Sequence, residues 1–136
     1  MNKTATSPVR VKVKYEKVWL GLKDRWTIRP GDPNSNGHVN NGEIRLRVAD
    51  GSRKIVFTIE SGRHDLKWAA DPIWVSADDC PKVPSCHGDI QDPVVDEEAR
   101  TLTVTDNVST RGKLHYSLNF LKDGKSKRRD PIIIHD

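Results

Sequence analysis

Alternation of apolar and polar residues over several short segments constrains the fold more than any other feature of this chain. Four apolar residues alternate with charged ones in 9–16, and three do so in 43–48. Successive side chains of a strand point to opposite faces, so each segment predicts a strand with one buried face and one solvent-exposed face. The other segments with this period are 55–59, 101–105 and 113–120, and a β-branched run closes the chain at 132–134.

Long helices are not predicted anywhere in the sequence. No segment carries apolar residues at helical spacing over three turns, and eight prolines and nine glycines are spread along the chain. Seven to eight short strands with short connections favour antiparallel pairing in two packed sheets. We therefore expect one all-β domain over residues 1–136, an antiparallel immunoglobulin-like sandwich with little or no helix and a flexible tail at 1–8. A small barrel is the alternative.

Two Asp-Gly pairs mark tight turns, because glycine tolerates a positive φ. Asp50-Gly51 lies between the predicted strands 44–48 and 55–59 and predicts that they form a hairpin. Asp123-Gly124 predicts a second turn near the end of the chain.

Proline lacks the amide donor that a strand ladder uses, so Asp-Pro pairs are expected at strand starts and sheet edges. Four such pairs occur: Asp32-Pro33, Asp71-Pro72, Asp92-Pro93 and Asp130-Pro131. With the segments 102–107 and 116–120 they give residues 55–136 a pattern that resembles the DP-EP family of small uncharacterised bacterial proteins. The resemblance implies an all-β fold and no known activity, and no Glu-Pro pair occurs in this chain.

Charge is segregated along the chain behind a formal net charge of +4. Residues 71–110 hold nine Asp or Glu against two Lys or Arg, whereas the flanking segments 1–70 and 111–136 are both basic. The acidic stretch can neutralise the basic face of its own fold or that of a neighbouring copy. We therefore list a homo-oligomer among the expected assemblies, and a solvated surface is the alternative.

A basic cluster follows Phe120, around the second Asp-Gly turn. Such a cluster can contact phosphates, which makes weak nucleic-acid binding one hypothesis. No stacking aromatic residues are interleaved with it, and a charged hairpin tip that protects a sheet edge is the competing interpretation. Its members are Lys122, Lys125, Lys127, Arg128 and Arg129.

Residues 32–43 match the calcium-loop pattern D-x-[DN]-x-[DN]-G-x5-E in full. The helices that flank an EF-hand loop are not predicted here, and only two ligands carry charge. We expect at most weak binding, with a Kd of about 10⁻⁴–10⁻³ M, and a turn-rich connection without metal is the alternative. The candidate ligands are Asp32, Asn34, Asn36, His38 and Glu43.

Cys80 and Cys86 are separated by five residues, two of them proline. Three interpretations stay open: two free thiols, a local disulfide, or a metal site completed by His87 and Asp89. The remaining histidines are scattered in the sequence and are expected at the surface: His38, His64, His115 and His135.

Four of the eight aromatic residues are tryptophans, at positions 19, 26, 68 and 74. In a β-sandwich they pack the core, or they form a platform that stacks sugar rings, so a calcium-dependent carbohydrate-binding module is a further hypothesis.

No catalytic or nucleotide-binding motif occurs in the sequence, and we expect no enzymatic activity. No apolar run approaches the ~18 residues of a membrane helix, and the first residues lack a signal peptide, which predicts a cytoplasmic location. The sequence thus predicts a non-catalytic binding or structural interaction module with no cofactor other than weakly bound calcium.

Overall fold

The fold consists of eleven strands and two 3₁₀ helices in the described part of the chain, where no α-helix occurs. A computed structural model describes residues 7–18, 20–21, 23–40, 42–60, 66–79 and 81–136. The first sheet has the order β2 (Lys23–Pro30), β1 (Val9–Val18), β5 (Arg53–Ile59), β8 (Thr101–Asp106) and β7 (Ile90–Asp96). The second has β3 (Val39–Asn40), β4 (Glu43–Leu46), β11 (Ile132–His135), β9 (Gly112–Lys122) and β10 (Lys125–Arg129), with β6 (Leu66–Ser76) on the other side of β9.

The all-β prediction is confirmed, but both sheets are mixed and not purely antiparallel. β1 pairs with β5 in parallel, and β4 pairs with β11 in parallel. The hairpin predicted around Asp50-Gly51 is wrong, because β4 and β5 lie in different sheets. Between them a 3₁₀ helix at Val48–Asp50 ends at Gly51, whose φ of 76° turns the chain from one sheet to the other.

The alternation along the strands places one apolar set in a core that both sheets share. In β1 the four residues from Val9 to Tyr15 that alternate with charged residues are each at most 1% exposed. Six aromatic rings run through this core in a chain of contacts whose centroid separations lie between 4.6 and 6.5 Å. In contact order they are Tyr15, Trp26, Phe120, Trp68, Phe57 and Tyr116. Such contacts add stability beyond burial of area alone.

One long hairpin forms the centre of the second sheet. Asp123 and Gly124 have φ values of 51° and 78°, the left-handed pair that a two-residue type I′ turn requires. β10 and β11 run along β9 in one continuous register and are separated only by Asp130-Pro131. Proline has no amide hydrogen for the ladder, so the returning strand is divided at this point.

Two other Asp-Pro pairs lie at bulges in edge strands. The register of β6 against β9 shifts in the segment that contains Asp71-Pro72, and that of β7 against β8 shifts at Asp92-Pro93. The β6 bulge is held by Asn119, whose Nδ2 donates to the carbonyl oxygen of Asp71 at 2.9 Å. Among the described strands, β6 pairs only with β9 and β7 only with β8. Bulges of this kind limit further pairing at a sheet edge.

Candidate functional site

A buried cluster of two aspartates and a histidine lies where one end of the first sheet meets the second. Asp106 ends β8 and continues the inward alternation of Leu102 and Val104. His135 likewise follows Ile133 on the inward face of β11. Asp89 lies just before β7, and the three side chains are only 0–7% exposed. Two strands of opposite sheets thus each end with an ionisable residue on the core face.

Both ring nitrogens of His135 are engaged. Nε2 lies 2.7 Å from Asp106 Oδ2, and Nδ1 lies 3.0 Å from the carbonyl oxygen of Thr110. A carbonyl oxygen only accepts hydrogen bonds, so Nδ1 carries a proton. A second proton lies between Nε2 and Asp106, on one or the other. Burial raises the pKa of Asp106, and the hydrogen bonds from His135 and from the amide of Val108 oppose that rise.

Asp89 is the incompletely satisfied member of the cluster. Its Oδ1 accepts a hydrogen bond from the hydroxyl of Ser109, whereas its Oδ2 is buried and accepts none. A ring nitrogen of His135, Nδ1, lies 3.6 Å from this Oδ2. Within the described residues, neither Asp89 nor Asp106 has a lysine or arginine nitrogen within 4.0 Å. No lysine or arginine therefore offsets the two carboxyl groups within this cluster.

The cluster contains serine, histidine and aspartate but does not form a nucleophile–base pair. The hydroxyl of Ser109 donates to Asp89 and not to His135. Nucleophilic catalysis requires the serine to contact the imidazole, and both nitrogens of this ring are already bonded in a buried position.

The prediction of surface positions for the scattered histidines is wrong for His135, which is 3% exposed. The two-residue period of its strand could have predicted this buried position, because His135 follows the buried Ile133 by two residues and so lies on the same face. His38 is half-buried, with Nδ1 3.0 Å from the carbonyl oxygen of Arg45 and Nε2 3.3 Å from a nitrogen of Arg53. His64 lies outside the described residues.

The predicted calcium ligands lie in a loop whose two carboxylates already have cationic or amide partners. Asp32 caps the 3₁₀ helix Pro33–Ser35 by accepting the amide of Ser35 at 3.0 Å, and it lies 3.5 Å from Nε of Arg10. Glu43 accepts from Nε of Arg45 at 2.7 Å. Calcium binding stays a prediction.

A cavity of about 300 Å³ opens beside this loop. It is lined by three of the predicted ligands, Asn36, His38 and Glu43, together with neighbouring residues of the loop. Asp32 and Asn34 are not among the lining residues. The structure therefore brings part of the predicted set together and leaves the first carboxylate, Asp32, elsewhere.

The thiol of Cys86 is exposed. Cys80 lies outside the described residues, so the disulfide stays a prediction. His87 supports the buried cluster, because its Nδ1 accepts the amide of Asp89 at 3.1 Å.

Trp68 is a core residue, and Trp26 is partly buried against the core. Trp26 and Trp68 both contact the ring of Phe120, at 5.1 and 4.6 Å between centroids. Trp74 lies under the guanidinium of Arg128, 5.4 Å from its Cζ to the ring centroid. Trp19 lies outside the described residues. A sugar-stacking platform would therefore have to be built without Trp26 and Trp68.

The predicted basic cluster lies along the β9–β10 hairpin. Lys122 contacts Asp123 at 3.4 Å and the face of Tyr15, while the rest of the cluster belongs to β10. Among the described strands β10 pairs only with β9, so its other edge carries no strand. We call Lys125–Arg129 the basic edge.

An acidic counterpart lies at the edge of the first sheet. β7 and the turn after it carry four exposed carboxylates, which we call the acidic edge. Val94 in the same strand is 61% exposed. The carboxylates of the acidic edge belong to Asp92, Asp96, Glu97 and Glu98.

A groove of about 520 Å³ opens between β6 and the acidic edge. Its apolar lining includes Leu66, Trp68 and Val95, and Glu97 lies at its rim. Arg100 braces the groove: its carbonyl oxygen accepts the indole N–H of Trp68 at 3.1 Å, and its guanidinium donates to the carbonyl oxygen of Leu66 at 3.0 Å. The acidic edge thus has an apolar surface beside it.

No protein-family model and no curated protein matches this chain to a significant degree. The described residues also include no helix that is both long and apolar enough to cross a membrane.

Proposed function

We propose that this protein is a non-catalytic interaction module that associates with further copies of itself, the basic edge of one copy docking on the acidic edge of the next. The observation that carries this proposal is the opposite charge of two exposed strand edges, β10 and β7, which belong to different sheets. Charge complementarity of this kind directs encounter and register between protein surfaces.

The charges on both edges are largely uncompensated within the chain. Among the described residues, no carboxylate lies within 4.0 Å of a side-chain nitrogen of Lys125, Arg128 or Arg129. Glu97 and Glu98 likewise form no ion pair with a described residue. By contrast, the charged residues of β1 lie beside partners such as Glu60. Both edges therefore carry side-chain charges with no ion-pair partner among the described residues.

The form of the edges indicates how such a contact would be made. The bulge at Asp92-Pro93 limits backbone pairing along β7, so side-chain charges would provide most of the attraction. The groove beside Trp68 and Val95 offers apolar area for the same partner. Two different surfaces would meet, so the contact would be head-to-tail. Because its charge pairs would be exposed, salt would screen them and weaken the contact.

The two sheets around one core also support the immunoglobulin-like sandwich, which we include in the proposal as the scaffold of the two edges. Members of that fold class commonly present binding surfaces on strands and loops while the core stays constant. The parallel pairs β1–β5 and β4–β11 depart from the antiparallel form first expected.

The test is mass measured by light scattering and sedimentation across protein and salt concentration, after nuclease treatment. We expect masses above 15.4 kDa at low salt that fall towards that value as salt rises. Reversing the basic edge with Lys125→Glu and Arg128→Glu should abolish association, and so should reversing the acidic edge with Glu97→Lys and Glu98→Lys. Mixing the two reversed proteins should restore it, because each then offers the complement of the other.

The matched control for the basic-edge variant is Lys54→Glu with Lys113→Glu, which makes the same change in net charge as that variant at exposed positions outside both edges. At equal salt concentration, this control should associate as the parent does, because its new charges lie outside both edges. A monomeric parent at low salt, or a mixture of reversed variants that stays monomeric, would refute the proposal. Association lost equally in the control would also refute it.

A further inference from the structure

We propose that Asp89, Asp106 and His135 bind a divalent transition-metal ion of the Zn²⁺ type, which joins the two sheets at their buried end. This site is separate from the basic and acidic edges, and the proposal does not depend on self-association.

The donor atoms are close enough to converge on one ion. One donor atom from each of the three residues lies within 4.8 Å of the others. Two ligand atoms of a tetrahedral zinc site, each about 2.0–2.1 Å from the ion, are roughly 3.3 Å apart. The observed pair of Asp106 Oδ2 and His135 Nε2, at 2.7 Å, is shorter than that separation, and Asp89 Oδ2 lies 3.6 Å from the other ring nitrogen, Nδ1. Admitting an ion therefore requires the first pair to open and Asp89 Oδ2 to move towards Nε2.

The hydrogen bonds that the three side chains make to neighbouring groups are of the kind that orients metal ligands in proteins. A metal-bound histidine usually donates its other ring N–H to a carbonyl or carboxylate, which fixes its orientation. Nδ1 of His135 donates to the carbonyl oxygen of Thr110 in this way and leaves Nε2 for the ion. The carboxylates are oriented too, Asp89 by the hydroxyl of Ser109 and Asp106 by the amide of Val108.

An unsatisfied oxygen independently points to a missing cation. Asp89 is 5% exposed, and its Oδ2 faces the cluster without accepting a hydrogen bond. Buried carboxylate oxygens are nearly always bonded, because an unpaired buried charge is costly. A divalent ion that replaces the proton between Asp106 and His135 would coordinate this oxygen. The displaced proton would be released to solvent.

The donor set selects the kind of ion. Imidazole nitrogen suits zinc and its transition-metal neighbours, whereas calcium prefers six to eight oxygen ligands. Burial of all three side chains leaves little access for a substrate, so the ion would have a structural role. It would connect β8 of the first sheet with β11 of the second.

The experiment titrates metal-stripped protein with ZnCl₂, MnCl₂ and CaCl₂ separately, following heat by calorimetry and unfolding by circular dichroism. We expect Zn²⁺ to bind one ion per chain and to raise Tm more than Ca²⁺ does at equal concentration. Asp89→Asn should weaken Zn²⁺ binding roughly tenfold or more, because even a substitution of a residue that only hydrogen-bonds to a metal ligand lowers metal affinity about 10–100-fold. This variant is chosen because Oδ2 of Asp89 makes no hydrogen bond whose loss would unfold the protein.

Two matched variants identify other sources of zinc binding. Glu43→Gln removes a carboxylate of the loop 32–43, and Cys86→Ser removes the exposed thiol; both should bind Zn²⁺ as the parent does. Cobalt absorption and the nuclear magnetic resonance shifts of the His135 ring supply readouts other than stability, and both should change on binding and be lost in Asp89→Asn. No binding of Zn²⁺ by the parent, binding retained in Asp89→Asn, or binding lost in Cys86→Ser would each overturn the assignment.

Discussion

The hydroxyl of Tyr116 is buried in the core without a hydrogen-bond partner, and this predicts a specific loss of stability in alkali. The residue is 0% exposed, and burial raises its pKa well above the ordinary value of 10, with the charge of Arg129 opposing the rise. The folded protein therefore keeps this proton at a pH where the unfolded chain loses it. The favourable difference is complete below pH 10 and is lost as the pH rises from there towards the folded pKa.

The magnitude follows from the linkage relation. Each pH unit between the unfolded and folded pKa lowers the free energy of unfolding by about 1.36 kcal/mol for one group. At pH 11 the accumulated loss from Tyr116 is about 1.4 kcal/mol, or roughly 4–6 °C in Tm for a domain of this size. Tyr116→Phe removes the titrating group and keeps the ring that contacts Phe57 at 5.8 Å between centroids. It also removes an unsatisfied buried hydroxyl, so the variant should be at least as stable as the parent at pH 7.

The assay is urea unfolding of parent and Tyr116→Phe at a series of pH values from 7 to 11. Lysines also titrate in this range, but they do so in both proteins, so the difference between the two curves isolates Tyr116. Between pH 9 and pH 11, we expect the free energy of unfolding of the variant to rise by about 1.4 kcal/mol relative to that of the parent. Parallel curves, or tyrosinate absorbance from Tyr116 near pH 10 while the protein is still folded, would refute the reasoning.

Three further substitutions test the packing. Gly31→Ala should cost about 1–3 kcal/mol, because the new Cβ would lie 2.9 Å from Cβ of Arg10, whereas Gly37→Ala meets nothing within 4 Å and should stay within about 0.5 kcal/mol of the parent. Trp68→Ala should cost about 3–5 kcal/mol, since it removes the ring stacked on Phe120 at 4.6 Å. Denaturant unfolding measures all three, and equal values for the two glycine variants would contradict the contact argument.

Six of the eleven described strands could be predicted from the sequence, because the two-residue period is a local property; they are β1, β4, β5, β8, β9 and β11. The apolar positions of β1 and β8 are buried as the alternation predicted, and the turn at Asp123-Gly124 is present. Which strands pair could not be predicted in the same way. β4 takes its parallel partner β11 from far along the chain, and no local signal at Asp50-Gly51 distinguishes a hairpin from a crossing between sheets.

The candidate site was accessible from the sequence only in part. Asp106 and His135 stand at inward positions of their strands, so the alternation marks them as buried ionisable residues. Asp89 precedes its strand, and its approach to the other two depends on how β7 lies on β8. The calcium-loop pattern was a stronger match as a motif, yet its carboxylates Asp32 and Glu43 are directed towards arginines.

The parallel pairing of β4 with β11 also determines when this protein can fold during synthesis. Residues 43–46 leave the ribosome well before residues 132–135, with which they pair. Contacts between such distant segments slow folding, because a long loop must close before the pairing stabilises it. The nascent chain therefore carries an unpaired β4 edge until residues 132–135 have emerged, and its second sheet is completed only then.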